Sequence, residues 1–171
     1  MITDSKGGCT MITTLSEKVK VCIAIEATTA EVYHLLSARF PEARGLWHDL
    51  AVSEENHANI LVVGAGYLRT RELPKEVVPG SQELIDETFR LVRTAKSEIT
   101  HEEQLSLPDA LALALKIEHS VAESYFQEVI MGDTDNPVIA RLQRLRKDEL
   151  THVEKINDFM KNKGFTPGAM N

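Results

Sequence analysis

Residues 25–33 read Ile-Glu-Ala-Thr-Thr-Ala-Glu-Val-Tyr, and residues 117–125 read Ile-Glu-His-Ser-Val-Ala-Glu-Ser-Tyr. Five of these nine positions are identical at an offset of 92: Ile25/Ile117, Glu26/Glu118, Ala30/Ala122, Glu31/Glu123 and Tyr33/Tyr125. Downstream of each copy stands a Glu-x-x-His, Glu54 with His57 and Glu149 with His152, at an offset of 95 that Leu50 and Leu145 share. An internal repeat constrains a fold more than any lone motif does. This one predicts two copies of a helical hairpin, each supplying one Glu and then a Glu with a His.

Working outward, apolar residues recur at helical spacing around each motif. Val19, Cys22, Ile23, Glu26, Ala30, Tyr33, Leu36 and Phe40 form one stripe, which predicts a helix from a Ser16 cap to about Phe40, before Pro41. Ala43, Trp47, Leu50, Ala51, Glu54, His57, Ala58, Leu61 and Leu68 form the next, on a helix reaching about Arg71. Pro74, Pro79 and Gly80 then interrupt the pattern, and Ser81 is placed to cap a further helix to about Glu98. This stretch reads as a long crossover that returns the chain to the end where the second helix began. The third ligand-bearing helix is expected from Pro108 to about Met131, along Leu111, Ala114, Leu115, Glu118, Ala122, Tyr125 and Val129. The fourth follows Gly132–Pro137 and runs to about Lys163, with Leu142, Leu145, Glu149, His152, Val153, Ile156 and Met160 inward and Gly164 as its stop. The expected fold is all-α, an antiparallel four-helix bundle with a helix-carrying crossover between helices two and three. Residues 1–14 read as a disordered or non-native lead-in, 15–165 as the bundle and 166–171 as a tail.

Each of the four stripes is apolar except for one glutamate near its middle. A lone carboxylate buried between helices costs several kcal/mol, and four meeting at one level repel each other as well. Two divalent cations would neutralise four carboxylates, and two neutral imidazoles complete the ligand set without altering that balance. On a helix, residues i and i+3 share a face. Glu54 and Glu149 are therefore placed to bridge two metals, with Glu26 and Glu118 terminal and His57 and His152 on one metal each. Tyr33 and Tyr125, two turns beyond the terminal glutamates, are placed to donate a hydrogen bond to a ligand, including one from another helix. The spacing alone is not decisive, because Glu31/His34 and Glu98/His101 match it too. Neither pair lies on an inward stripe. Glu31 and Glu123 read as solvent-facing, His34, His48, His101 and His119 as surface or packing residues, Trp47 as core, and Cys22 as a small buried hydrophobe.

The chain of 171 residues is 43% hydrophobic, 26% charged and 5% aromatic, with a net charge of −7 and no basic stripe, which argues against nucleic acid as a partner. Cys9 and Cys22 provide neither a disulfide framework nor a Cys-x-x-Cys knuckle. The lack of a spanning apolar run or a signal-peptide pattern predicts a cytoplasmic protein with no membrane partner.

Glu26-x6-Tyr33 followed by Leu50-Ala51-x2-Glu54-x2-His57-Ala58 resembles the first hairpin of the rubrerythrin and ferritin-like superfamily, and Glu118-x6-Tyr125 with Glu149-x2-His152 resembles the second. The resemblance spans roughly residues 15–163. It implies a ferritin-like bundle holding two iron ions, with Glu26, Glu54, His57, Glu118, Glu149 and His152 as ligands. Manganese and zinc are alternatives that nitrogen and oxygen donors also accept. It further implies oxidation of Fe(II), or reduction of O2 or peroxide, with iron storage and a non-redox scaffold as alternatives, and a homodimeric assembly. Rubrerythrin carries another glutamate three residues after its third-helix ligand, where this chain has Val121. It also carries a cysteine-ligated rubredoxin domain that this sequence lacks, so an electron donor would be a separate protein.

Overall fold

A computed structural model describes residues 15–68, 81–101, 104–124 and 137–165. Five helices carry the architecture: α1 (Leu15–Arg39), α2 (Arg44–Leu68), α3 (Gln82–His101), α4 (Leu107–Ser124) and α5 (Pro137–Asn162). A 3-10 turn over Pro41–Ala43 joins α1 to α2. The described residues contain no strand, and none of their helices is long and apolar enough to cross a membrane.

Local chemistry sets the helix ends. The α1 helix already includes Leu15, so Ser16 sits inside its first turn and not ahead of it as the sequence suggested. Ser81 does cap α3, its Oγ accepting from the Leu84 N–H at 3.2 Å. Ser106 caps α4, accepting from the Asp109 N–H at 3.3 Å while its own hydroxyl donates to the Asp109 carboxylate. Gly164 stops α5 with φ of 74°, a left-handed conformation that costs a glycine little. Gly164 N–H reaches Lys161 O at 3.0 Å and Phe165 N–H reaches Met160 O at 2.9 Å, closing a Schellman motif. The expected continuations of α2 to Arg71 and of α4 to Met131 lie outside the described residues.

The tight turn at Pro41 folds α1 and α2 into a hairpin with the most extensive packing in the molecule, and α4 packs on α5, which in turn packs on α2. The crossover helix takes a larger part than a connecting strap would. It packs closely on α1 and also on α4, whereas α1 and α4 barely touch each other. Arg39, at the end of α1, donates to Ile99 O near the end of α3 at 3.0 Å, so the two helices finish at the same end of the molecule. That end is where α2 begins, and α4 starts there too, which is the return the crossover was expected to make. Ile85, Thr88, Val92, Ala95 and Ile99 bury the inner face of α3. Thr88 ties it to α4 through a 2.7 Å contact between its hydroxyl and that of Ser120.

This extra wall explains why α1 buries more than the single stripe expected. Ile25, Thr29 and Val32 are buried alongside Cys22, Glu26, Ala30, Tyr33 and Leu36. A helix flanked on two sides has little outer face left, so its hydrophobic residues spread around the axis.

Candidate metal centre

Glu26 of α1, Glu54 and His57 of α2, Glu118 of α4, and Glu149 and His152 of α5 are each no more than 1% exposed. Six ionisable side chains from four helices thus share one dry place in the core. Histidine Nδ1 atoms point toward the carboxylates. His57 Nδ1 lies 3.0 Å from Glu149 Oε1, 3.2 Å from Glu54 Oε2 and 3.9 Å from Glu26 Oε2. His152 Nδ1 lies 2.9 Å from Glu54 Oε1, 3.2 Å from Glu118 Oε2 and 3.9 Å from Glu149 Oε2. The two rings face each other, with centroids 5.3 Å apart and planes 19° from parallel.

A two-fold pattern follows. Glu54 and Glu149 each turn one oxygen to each histidine, while Glu26 accompanies only His57 and Glu118 only His152. The ligand atoms fall into two groups, Glu26-Glu54-His57-Glu149 and Glu54-Glu118-Glu149-His152, each with all its atoms within 4.8 Å of one another. Two donors on one ion at about 2.1 Å can be at most about 4.2 Å apart. Each group therefore lies near the spacing that a single cation imposes on its donors.

No protein-family model, no curated protein and no solved structure matches this chain. The case for a metal centre therefore rests on the chemistry of the residues themselves.

That chemistry is strained without a cation. Both oxygens of Glu26 and both of Glu149 accept no well-directed hydrogen bond among the described residues, and His57 Nε2 has no partner at hydrogen-bond distance. Burial, reinforced by the charge of Glu54, holds the Glu26 carboxyl well above the usual carboxylate range. Burial and the same neighbour raise Glu149 as well, against the pull of His57. Burial alone would also raise Glu54. The nearby Glu26 carboxyl and both histidines outweigh it and hold Glu54 well below the usual carboxylate range. Burial opposes charge on the two imidazoles, yet their carboxylate contacts prevail. Glu149 and Glu54 push His57 up to about 10, and Glu118 and Glu54 do the same for His152. The cluster thus favours added positive charge, which a pair of cations would supply. The donor set, all carboxylate oxygen and imidazole nitrogen, suits divalent first-row metals.

Tyr33 meets its expected place. A helical side chain leans toward the helix N-terminus, so a tyrosine two turns past Glu26 reaches back to the level of the cluster. Its hydroxyl donates across the core to Glu118 Oε1 of α4. Burial and the nearby Glu118 charge raise this phenol well above its usual value, so it keeps its proton and acts as a donor. Trp47 is fully buried and stacks on Tyr33, with centroids 5.9 Å apart and planes at 19°. Replacing Tyr33 with phenylalanine keeps that stack and removes only the hydrogen bond to a charged group. Urea unfolding of the metal-free variant should show a loss of about 1.5–3 kcal/mol; an unchanged midpoint would contradict the contact. Tyr125 lies outside the described residues.

Among the described side chains, the remaining assignments fall on the surface or in the core as expected; the side chain of Glu123 lies outside them. Glu31 is exposed and pairs with Lys96, and His34 pairs with Glu55 at 2.8 Å in the open. His48, His101 and His119 are exposed. Burial pushes the Cys22 thiol up to about 12, which keeps it protonated. Val121, where rubrerythrin has its additional glutamate, is buried at 1% exposure. Two residues escaped the sequence reading. Ser53 Oγ lies 2.8 Å from His152 Nε2, and Asp148 Oδ2 lies 3.7 Å from His57 Nε2. They occupy equivalent places in the repeat, one residue before Glu54 and Glu149. Being Ser in one copy and Asp in the other, they leave no identity for a repeat search to find.

Proposed function

We propose that this chain is a ferritin-like di-iron carboxylate protein, similar to the rubrerythrins, that oxidises Fe(II) or reduces O2 or peroxide. The observation that carries this reading is the mutual placement of Glu54 and Glu149, each turned to both histidines within a buried set of four carboxylates. Each of these two glutamates thus offers one oxygen to each side of the cluster, the arrangement that sharing charge between two cation positions requires. Glu54 and Glu149 would bridge two iron ions, with Glu26 and His57 completing one position and Glu118 and His152 the other.

When bound, the iron pair supplies the redox equivalents and the open coordination positions at which a small oxidant reacts. The protein's own groups prepare the place. Burial disfavours charge on Glu26 and Glu149, a cost that a bound cation would offset. Tyr33 keeps its proton on the hydroxyl and fixes the orientation of Glu118. Val121 and the Tyr33–Trp47 stack supply apolar walls that limit the approach of bulk water.

Protein produced in iron-replete medium should contain about two iron ions per chain by elemental analysis. Anaerobic Fe(II)-loaded protein mixed with O2 or peroxide should then develop ferric absorbance rapidly. Bound iron with no rapid change would sink the oxidoreductase reading and leave an iron-binding or storage protein. No bound metal at all would leave only a helical scaffold.

A further inference from the structure

The two halves of the cluster match in their carboxylates and differ in what faces the outer nitrogen of each histidine. Both rings direct Nδ1 inward, so Nε2 is the outer atom of each. His152 Nε2 meets the Ser53 hydroxyl at 2.8 Å. His57 Nε2 faces the Asp148 carboxylate at 3.7 Å, less than an ångström beyond hydrogen-bond reach. Each partner comes from the opposite hairpin, and each directly precedes the glutamate that faces both rings.

We infer that the two metal positions are inequivalent, with the His57/Glu26 position binding a divalent cation more tightly than the His152/Glu118 position because Asp148 backs one histidine and Ser53 the other. The inference rests on the metal-binding reading above. An imidazole that binds through Nδ1 must carry its proton on Nε2. A carboxylate can only accept, so Asp148, on moving inside hydrogen-bond reach, would select the metal-ready tautomer. A hydroxyl donates as readily as it accepts, so Ser53 leaves both tautomers open to His152. A charge-assisted hydrogen bond is also about twice as strong as a neutral one, and it makes the opposite ring nitrogen a better electron donor to the metal. Asp148 adds a negative charge near its cation, whereas Ser53 adds none. The shorter Ser53 contact does not reverse this order, because distance tunes a hydrogen bond but cannot give a hydroxyl a charge. With a side chain 39% exposed, Asp148 can swing inward without repacking the core.

The test uses Zn(II), which is redox-inert, titrated into the metal-stripped full chain against a chromophoric chelator. Two steps should appear, with affinities about 10–100-fold apart. At one equivalent, NMR of nitrogen-labelled histidine should show His57 perturbed before His152. Asp148→Ser should weaken the tighter step, and Ser53→Asp should tighten the weaker one, each by about 10–100-fold. The double exchange should restore the separation with His152 now filling first. Asp148→Asn is the conservative control at a partly exposed site, and thermal melts establish that each variant folds. Two ions bound with equal affinity, or steps indifferent to Asp148→Ser and Asp148→Asn, would overturn the inference and leave the metal centre standing. A protein that binds no Zn(II) at any concentration would overturn the metal centre itself.

Discussion

Glu54→Gln should abolish both metal positions at once and cost the metal-free protein about 3–5 kcal/mol, whereas Glu149→Gln should abolish both positions at a smaller cost. Both glutamates belong to each of the two ligand groups, so the loss of either removes a donor from both ions. Under conditions where the native protein holds about two ions, each variant should hold fewer than one by elemental analysis. The difference appears only once metal is removed. Glu54 is then the ionised carboxylate on which both imidazoles converge, at 3.2 Å from His57 and 2.9 Å from His152. Its amide would leave two buried imidazolium charges facing a neutral group, the situation in which breaking a buried ion pair is most damaging.

Glu149 stands in the opposite state. Burial and the charge of Glu54 raise Glu149 above the usual carboxylate range, against the pull of His57, so its amide replaces a carboxyl that holds its charge far less firmly than Glu54 does. Urea unfolding in the presence of a chelator should place Glu149→Gln closer to the native chain than Glu54→Gln at neutral pH. Equal losses for the two variants would show that the charges are not arranged this way. Retention of two ions by either variant would show that these glutamates do not bridge.

The six cluster residues were legible because each of four otherwise apolar stripes carries a single glutamate, joined on two of them by a histidine three residues on, and because the stripes come in repeated pairs. Helical periodicity then fixes which face they share, and that is enough to bring Glu26, Glu54, Glu118 and Glu149 to one level. Tyr33 was legible for the same reason, though its partner was not. Periodicity places a hydroxyl on a face but cannot say which neighbouring helix stands opposite, and the answer, Glu118, depends on how α4 packs. The second buried face of α1, at Ile25, Thr29 and Val32, was not legible, because it exists only where α3 wedges between α1 and α4. A stripe read from one helix carries no information about how many neighbours that helix has. Ser53 and Asp148 were hidden for a further reason. Their importance comes from the rotation of two imidazole rings on the opposite hairpin, which no spacing along the chain encodes.

Removing the metal should also turn the pH dependence of stability downward at alkaline pH, and restoring it should flatten that fall. The direction follows from where protons bind in the folded and unfolded states. His57 and His152 titrate at about 10 in the metal-free fold against 6.5 in an unfolded chain, so their contribution is complete below 6.5 and is lost as pH rises toward 10. Glu26 and Glu149 are raised above 4.5, so their contribution is likewise present at low pH and declines upward from there. Glu54 alone runs the other way: its stabilisation is present above 4.5 and is lost on acidification. Between pH 7 and 9 the two histidines of the folded metal-free protein therefore hold close to two protons that the unfolded chain has released. That corresponds to roughly 3 kcal/mol of stability lost per pH unit, enough to unfold a domain of ordinary stability within a few units. A divalent cation displaces protons from Glu26, Glu149, His57 and His152, so its binding strengthens as pH rises and opposes that decline. Thermal melts at pH 6, 7, 8 and 9, with chelator and with saturating Mn(II), should diverge steadily toward alkaline pH. Parallel curves would mean that cations and protons do not compete for these six side chains.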